Sequence, residues 1–206
     1  MAKQKAQAYL VTSNNLYNKH FKRNKNSWLR FAPLHIIANN FCPLKWALGF
    51  KEHQLNIIVK QAVLENIRGV SELFNSYRMF YKQGTDIGLA SEFISERIHN
   101  SESVIFFAQN QDGDYLGFTQ LYPTFSSVSA KKSWVLNDLF VAENARGFGV
   151  AKQLMDAAKA LALETNANGI ALETSESNHN AQALYESLGY EKSSGVYNYF
   201  LSLTLA

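Results

Sequence analysis

The residues with the clearest chemical potential are two glycines separated by one position, Gly147 and Gly149. Glycine has no Cβ, so its backbone can turn tightly and approach a ligand closely. Apolar residues recur at helical spacing from Val150 to Leu161, which places the glycines at a helix start. The free N–H groups of that first turn, with the helix dipole, predict an anion site that suits a pyrophosphate, and an ordinary turn is the alternative. The residues of this predicted cofactor site are Arg146, Gly147, Phe148, Gly149, Val150 and Ala151.

Two common phosphate-binding loops are excluded by the same segment. A dinucleotide-binding fingerprint needs a third glycine where Lys152 stands. The pattern G-x-x-x-x-G-K-[ST] of the P-loop occurs nowhere in the chain. The predicted anion site therefore belongs to another cofactor.

A second motif follows a predicted helix and a short apolar strand. It reads S-N-H-N-A-Q-A-L-Y-E-S-L-G-Y, from Ser177 to Tyr190. This run and the R-G-x-G-x-A turn, in this order, resemble the GNAT superfamily of acetyl-coenzyme A-dependent N-acetyltransferases. The resemblance covers roughly residue 57 to the C-terminus. Besides the turn, the matching residues are Asn178, Ala181, Leu184, Tyr185, Glu186, Gly189 and Tyr190.

The resemblance implies that acetyl-coenzyme A is the co-substrate and suggests a role for several residues. Tyr185 resembles the family's general acid, because a phenol of pKa about 10 can donate to a thiolate of pKa about 8.5 where the site favours it. A core tyrosine on an amphipathic helix is the alternative. Backbone N–H groups at the open edge of a strand would hold the pantetheine and polarise the thioester carbonyl. The predicted contacts are the backbone of Leu139, Phe140 and Val141, and Asn178 or Asn180 at the cap of the last helix.

The general base is the role that the motifs leave open. The segment V-L-N-D-L-F-V resembles the L-E-D-F-F-V of spermidine/spermine N-acetyltransferases, but Asn137 replaces the glutamate that is the base candidate there. Strand alternation predicts Asn137 and Leu139 on one face, and Asp138 with Leu136 on the other. Asp138 could therefore replace that glutamate only with a bulge. We expect Asp138 as a substrate or relay residue, or a structural carboxylate, and Glu173 on the next strand as a second catalytic candidate.

Aromatic residues mark the predicted substrate wall. Tyr77 and Tyr81 lie between the first two helices, and Tyr122 lies in a loop that would face them. An aromatic cage suits an ammonium group, although core packing explains Tyr77 and Tyr81 equally well. Arg78 would pair with a substrate carboxylate or a cofactor phosphate. Asn137 completes the predicted substrate site, and the resemblance to yeast polyamine and histone acetyltransferase-like proteins favours a polyamine or an amino acid as acceptor.

The elements that position these residues follow from hydrophobic periodicity and turn signals. Their order, β-α-α-β-β-β-α-β-α-β, predicts an α/β domain with a mixed sheet and helices on both faces. The resemblance implies a mostly antiparallel sheet with a V-shaped splay between its central strands, the GNAT fold. Strands are predicted at 56–63, 103–108, 115–122, 134–141, 170–174 and 196–203, with helices up to Gly84, at 86–99, from 150 onward and at 180–188.

Charge divides the chain into two predicted parts. Residues 1–55 hold nine Lys or Arg and one acid, whereas residues 56–206 hold eleven bases and sixteen acids. We therefore expect a basic, aromatic N-terminal extension, 1–55, and an acetyltransferase domain, 56–206. Bases interleaved with aromatics could bind a nucleic acid. Because no nucleic-acid motif accompanies them, a poorly ordered leader, a transit segment or non-native upstream sequence is the favoured interpretation.

Composition limits the expected partners and location. The single cysteine, Cys42, excludes an internal disulfide and offers no metal cluster, so a reducing compartment, the cytoplasm, is expected. No apolar run reaches membrane-spanning length, and no signal-peptide core follows Lys5. We expect a small-molecule amine as partner, with neither membrane nor nucleic acid, and leave a homodimer open.

Three functions fit these observations. The first is transfer of an acetyl group from acetyl-coenzyme A to a primary amine of a small molecule, by direct attack in a ternary complex. A covalent acyl route is not expected, because Cys42 lies outside the predicted domain. The second is acetylation of a protein N-terminus or lysine. The third, suggested by Asn137 and the basic extension, is a non-catalytic acyl-coenzyme A-binding or nucleic-acid-associated module.

Overall fold

The structure is a computed structural model that describes residues 56–203. The predicted N-terminal extension, 1–55, lies outside the described residues, so the domain boundary at residue 56 stays a prediction. None of the helices in the described part has the length and apolar character that a membrane crossing requires.

The described residues form five strands and four α-helices. Short 3₁₀ turns precede α1 and follow β4. In chain order, the elements are β1 Ile58–Gln61, α1 Ile67–Phe80, α2 Ile87–His99, β2 Val104–Gln109, β3 Tyr115–Ser126, β4 Lys131–Val141, α3 Val150–Glu164, β5 Ile170–Leu172 and α4 His179–Ser187.

The five strands form one sheet in the order β1-β2-β3-β4-β5. The first three pairings are antiparallel, whereas β4 and β5 run parallel because α3 carries the chain back between them. The central pair is the longest, with β3 and β4 in register from Gly117 opposite Val141 to Ser126 opposite Lys131. The predicted mixed, mostly antiparallel sheet is confirmed.

Helices cover both faces of the sheet, as predicted. On one face, α1 and α2 bury their apolar stripes against β2 and β3; on the other, α3 packs against β3 and β4. Each fully buried side chain of this kind contributes roughly 1.5–3 kcal/mol. The first core includes Val70, Phe74, Ile94, Phe107 and Phe118, and the second includes Leu121, Leu136, Met155 and Ala158.

Two sequence predictions about element ends are wrong. Gly84 does not end the first helix: α1 stops at Phe80, and Lys82 takes the left-handed conformation with φ of 63°. The predicted last strand at 196–203 does not form, and its large side chains are exposed, Phe200 at 94%. Its alternating pattern favours a strand, but a strand also needs an edge to pair with, and β5 offers only three residues.

The close approach of α1 to β3 depends on Gly69. A Cβ at this position would lie 2.3 Å from the ring of Tyr115, which stacks on the buried Phe107. We expect Gly69→Ala to lower the free energy of unfolding by about 1–3 kcal/mol, because the helix or the ring must move. Urea denaturation of the full chain measures the change.

Gly88, in α2, is the matched control for Gly69. An added Cβ there would meet only Asp86 Oδ1, at 3.5 Å, which is an ordinary contact. Alanine is a better helix former than glycine by up to about 1 kcal/mol, so Gly88→Ala should raise the free energy of unfolding. If Gly69→Ala and Gly88→Ala changed the free energy of unfolding in the same direction, the result would contradict the tight packing of α1 on Tyr115.

Candidate active site

A cleft opens where β4 and β5 part. The two strands pair at only three positions, the last being Leu136 opposite Leu172, after which β4 continues to Val141 without a partner on that side. This is the splay that the sequence predicts. A cavity of about 630 Å³ occupies the opening.

Four parts of the fold line this cleft. They are the C-terminal end of α1, the unpaired part of β4, the turn into α3, and the segment from the end of β5 into α4. The lining residues from the sequence prediction are Tyr77, Tyr81, Asn137, Leu139, Phe140, Val141, Arg146, Gly147, Gly149, Val150, Ala151, Glu173, Asn178, Asn180 and Tyr185.

The glycine turn begins α3 as predicted. Gly147 and Gly149 have φ of 85° and 81°, which residues with a Cβ rarely adopt, and Gly149 is the N-cap of the helix. No side chain caps the first N–H groups. Arg146 fastens the turn to β4, because its Nε donates to the carbonyl oxygen of Val141 at 3.2 Å. The turn therefore presents main-chain donors and the positive end of the helix dipole to the cleft.

Helix α4 brings Tyr185 to the opposite wall. Asn178 is its N-cap, with Oδ1 accepting from the N–H of Ala181 at 3.3 Å, so the cap role explains this residue. Asn180 lies in the first turn and lines the cleft. Burial, with a smaller effect from Tyr81, raises the pKa of the Tyr185 phenol, which therefore stays protonated at neutral pH.

The alternation predicted for β4 holds for Asp138 and Leu139, which lie on opposite faces, but it is wrong for Leu136, because the strand contains a β-bulge at Asn137. Gln120 pairs with Asp138 and Leu121 pairs with Leu136, so Asn137 is an extra residue without an opposite partner. The bulge turns Asp138 to the face that carries α1, while Leu136 keeps to the face that carries α3. A sequence pattern of period two cannot reveal such a residue.

The carboxyl group of Asp138 is buried beside the cleft, with 4% of the residue exposed. Asn137 Nδ2 lies 3.2 Å from both of its oxygens, and the nearby Tyr77 hydroxyl is a second polar group that lowers its pKa. Burial raises the pKa of Asp138, and these two groups only partly offset the effect. In turn, burial and the negative charge of Asp138 raise the pKa of Tyr77 far above its ordinary value.

Comparisons with known proteins agree with this geometry. The sequence model of the acetyltransferase (GNAT) family matches residues 70–190, which is more than half of the chain. The chain belongs to the acetyltransferase (GNAT) family. The match runs from α1 through the bulge and the glycine turn to α4, so it includes every part of the cleft wall.

Relatives in the GNAT family cover most of the described domain. An uncharacterized N-acetyltransferase of Bacillus subtilis (strain 168), YhfO, is 43% identical over 145 residues, which are 70% of this chain and 97% of the relative. The D-amino-acid N-acetyltransferase HPA3 of Saccharomyces cerevisiae is 26% identical over 145 residues, 68% of this chain and 89% of the relative. A crystal structure of a probable acetyltransferase has a TM-score of 0.68 at 40% identity, covering 71% of this chain and 98% of that one. The protein is thus an N-acetyltransferase, of a family that uses acetyl-coenzyme A as co-substrate.

Four predicted site residues of this GNAT domain lie outside the cleft lining. Asp138 lies behind Tyr77 and Asn137, and Phe148 is half-exposed beside the glycine turn. Arg78 is partly buried on α1 and does not line the cleft. Tyr122 lies on β3, where its hydroxyl accepts from Gln120 Nε2 at 2.9 Å.

Other lining residues were not predicted from the sequence. Lys152, in the first turn of α3, adds a cation beside the predicted anion site and pairs with Asp156 at 2.7 Å. Helical spacing could have identified Ala181, four residues before Tyr185, and Leu184, three residues after Ala181. Besides Lys152, the lining residues that the sequence did not predict are Phe80, Leu136, Ala145, Thr174, Ala181 and Leu184.

Proposed function

We propose that the domain transfers the acetyl group of acetyl-coenzyme A to a primary amine of a small molecule, by direct attack in a ternary complex. One observation carries the proposal: a single cleft joins uncapped main-chain donors, a protonated phenol at Tyr185 and, behind Tyr77, the buried carboxyl group of Asp138. Those are the three groups that amide formation from a thioester requires.

The cofactor would bind along the glycine turn and β4. The first N–H groups of α3 would hold the pyrophosphate, with Lys152 as an additional cation. The edge of β4 at Leu139 to Val141 has no strand beside it, so its main chain can pair with the pantetheine amides and polarise the carbonyl. The diphosphate and the thioester would then lie at opposite ends of the same cleft.

Gly149→Ala tests the cofactor site. The new Cβ would meet no atom within 4 Å, so its effect is confined to the backbone, where φ of 81° costs about 1–2 kcal/mol for alanine. Relief of that strain would turn the first N–H groups of α3 away from the cleft. We expect the Kd for acetyl-coenzyme A to rise about tenfold, as measured by calorimetric titration of the full chain.

Gly113→Ala is the matched control for this variant. Gly113 has φ of 87°, also with no atom within 4 Å of an added Cβ, but it lies in the turn between β2 and β3. Gly113→Ala should lower the free energy of unfolding about as much as Gly149→Ala does, and it should leave the Kd for acetyl-coenzyme A unchanged. An equal Kd for Gly149→Ala and the unmodified protein would remove the glycine turn from the cofactor site.

The chemical step follows from the positions of Tyr185 and Asp138. An acceptor ammonium loses one proton to Asp138, and the neutral amine attacks the thioester carbonyl carbon. Asp138 does not line the cleft, so the proton would pass through the hydroxyl of Tyr77, which lines the cleft and lies near the carboxylate. The C–S bond then breaks, Tyr185 gives its proton to the leaving sulfur, and the phenolate takes one of the two N–H protons of the intermediate, so that the amide keeps the other.

The acceptor would enter beside the aromatic wall of α1. Tyr77 and Tyr81 pack edge to face with ring centroids 5.0 Å apart, and Phe80 extends the wall. Aromatic faces attract an ammonium group, and the carboxylate behind them adds a negative charge. HPA3, a relative at 26% identity, is named for D-amino acids, which supports an amino acid or another small amine as acceptor.

A thiol-release screen of the full chain tests the proposed function. The panel holds polyamines, L- and D-amino acids, aminoglycosides, and peptides with free N-termini or lysines. We expect release of coenzyme A with a small amine and little with peptides. Peptides that outcompete every free amine would replace the proposal with protein acetylation, and cofactor binding without thiol release across the panel would support the non-catalytic alternative.

A further inference from the structure

Gln120 has a buried side chain that the proposed reaction does not yet use. It lies on β3 with 0% of the residue exposed. Its Nε2 lies 2.9 Å from the hydroxyls of both Ser103 and Tyr122, so both amide hydrogens are engaged. Its Oε1 is buried and accepts no hydrogen bond from the described residues. An unpaired buried acceptor costs stability, so its retention calls for a functional explanation.

The bulge in β4 makes Gln120 a direct neighbour of Asp138. The two residues are paired across the strands, and paired residues point to the same face with Cβ atoms about 5 Å apart. If residues 136–138 alternated regularly, the carboxyl group would lie on the same face as Leu136, away from Gln120. The unpaired oxygen of Gln120 and the carboxyl group of Asp138 therefore share one buried region.

We infer that Gln120 is a positioning residue for the proton acceptor: its Oε1 accepts a hydrogen bond from the acid form of Asp138. The inference rests on the proposed function, in which Asp138 takes the ammonium proton. The N–H bond of the ammonium breaks and an O–H bond forms at Asp138. The carboxyl group then has an O–H donor, and Oε1 of Gln120 accepts its hydrogen bond. Gln120 thus favours the protonated state that each turnover must pass through.

Gln120 holds this geometry through its other two contacts. In the orientation observed, both hydrogens of Nε2 are engaged by Ser103 and Tyr122, which leaves Oε1 as the end of the carboxamide without a partner among the described residues. Tyr122 also lies within the electrostatic influence of the carboxylate. Burial, and after it the charge of Asp138, raises the pKa of the Tyr122 phenol to about 12.

Several other polar groups act on the same buried region and must be counted. Tyr77 faces Asp138 from α1, and Asn137 faces it from β4 itself. Arg97 of α2 and Glu102, just before β2, act on Tyr122 with opposite signs. Tyr77, Asn137, Arg97 and Glu102 are present in every variant below, whereas Tyr122 loses its hydrogen bond to Gln120 in Gln120→Met.

The pH profile of kcat/KM, measured with one amine on the full chain, tests the inference. Its acid limb reports the pKa of the base in the free enzyme. In Gln120→Met the acid form of Asp138 loses its acceptor, so we expect the acid limb to move to lower pH by about one unit. In Gln120→Glu an oxygen remains and a second carboxyl group is added, so the limb should move to higher pH. Ser103→Ala, the matched control, removes one contact of Nε2 but leaves Oε1 and the contact with Tyr122 in place, so the limb should move much less than in Gln120→Met.

The direction of the shift decides the result. An acid limb that stays in place or moves to higher pH in Gln120→Met would overturn the inference, the latter because Gln120 would then donate to the carboxylate. A shift of equal size in Ser103→Ala would also overturn it. Circular dichroism melts confirm that each variant is folded, and Gln120→Leu replaces Gln120→Met if the latter is not. Failure of the proposed function is a separate outcome, namely full turnover in Asp138→Asn.

Discussion

Asp138→Asn is expected to lower kcat for the best small amine by about 10²- to 10³-fold at pH 7, the range typical of a lost general base. The amide has the shape of the carboxyl group but cannot take a proton from the ammonium. Binding of acetyl-coenzyme A should change little, because Asp138 lies on the acceptor side and does not line the cleft. Steady-state kinetics with calorimetric titration of the cofactor separates the two effects.

The loss in Asp138→Asn should not come from unfolding. Burial raises the pKa of Asp138, so the folded state holds a proton there more tightly than the unfolded chain does. The carboxylate therefore destabilises the fold at pH values above its folded pKa, and this penalty disappears below about pH 4, the ordinary carboxyl pKa. Asparagine avoids the penalty. The melting temperature of Asp138→Asn at pH 7 should equal or exceed that of the unmodified protein, and the difference between the two proteins should vanish toward pH 4.

Glu173 provides the decisive comparison for the base. It also lines the cleft, at the end of β5, but it is exposed to solvent. If Asp138 is the base, Glu173→Gln changes kcat much less than Asp138→Asn does. If Asp138→Asn kept full turnover and Glu173→Gln lost it, Glu173 rather than Asp138 would be the general base.

The sequence predicts the local geometry of the proposed cofactor side of the cleft better than that of the proposed acceptor side. The glycine turn and the last helix are local features, because a positive φ at Gly149 and an asparagine cap at Asn178 follow from residues next to each other. Helical spacing then carries Tyr185 to the cleft. Such features depend little on the rest of the fold, so sequence motifs record them directly.

The acceptor side depends on long-range register, which residue patterns do not record. Only the pairing of Gln120 with Asp138 and of Leu121 with Leu136 identifies Asn137 as the bulged residue. That one-residue shift separates Asp138 from the face of Leu136, and so lets a buried carboxyl group follow a strand whose preceding residues pack against α3. The same limit applies to the predicted strand at 196–203, where alternation indicates a strand but not whether a partner edge exists.

Tyr185→Phe is expected to lower kcat by about 10²-fold, because the leaving thiolate loses its proton donor while the ring remains. Burial, with a smaller effect from Tyr81, raises the pKa of this phenol, so in the unmodified enzyme the donor stays protonated through the neutral range. The Kd for acetyl-coenzyme A should change less than threefold or so, since removal of one hydroxyl leaves the main-chain donors in place. Single-turnover kinetics with saturating cofactor measures the chemical step.

Tyr190→Phe is the matched control for the role of Tyr185. The two rings lie 6.0 Å apart between centroids, and burial raises the pKa of both phenols, but Tyr190 does not line the cleft. Removal of its hydroxyl should leave kcat unchanged, so a loss confined to Tyr185→Phe cannot come from a general change in this aromatic pair. Unchanged kcat in both variants would mean that water protonates the sulfur. The main-chain donors of β4 and the deprotonation of the amine by Asp138 would then have to account for the whole acceleration.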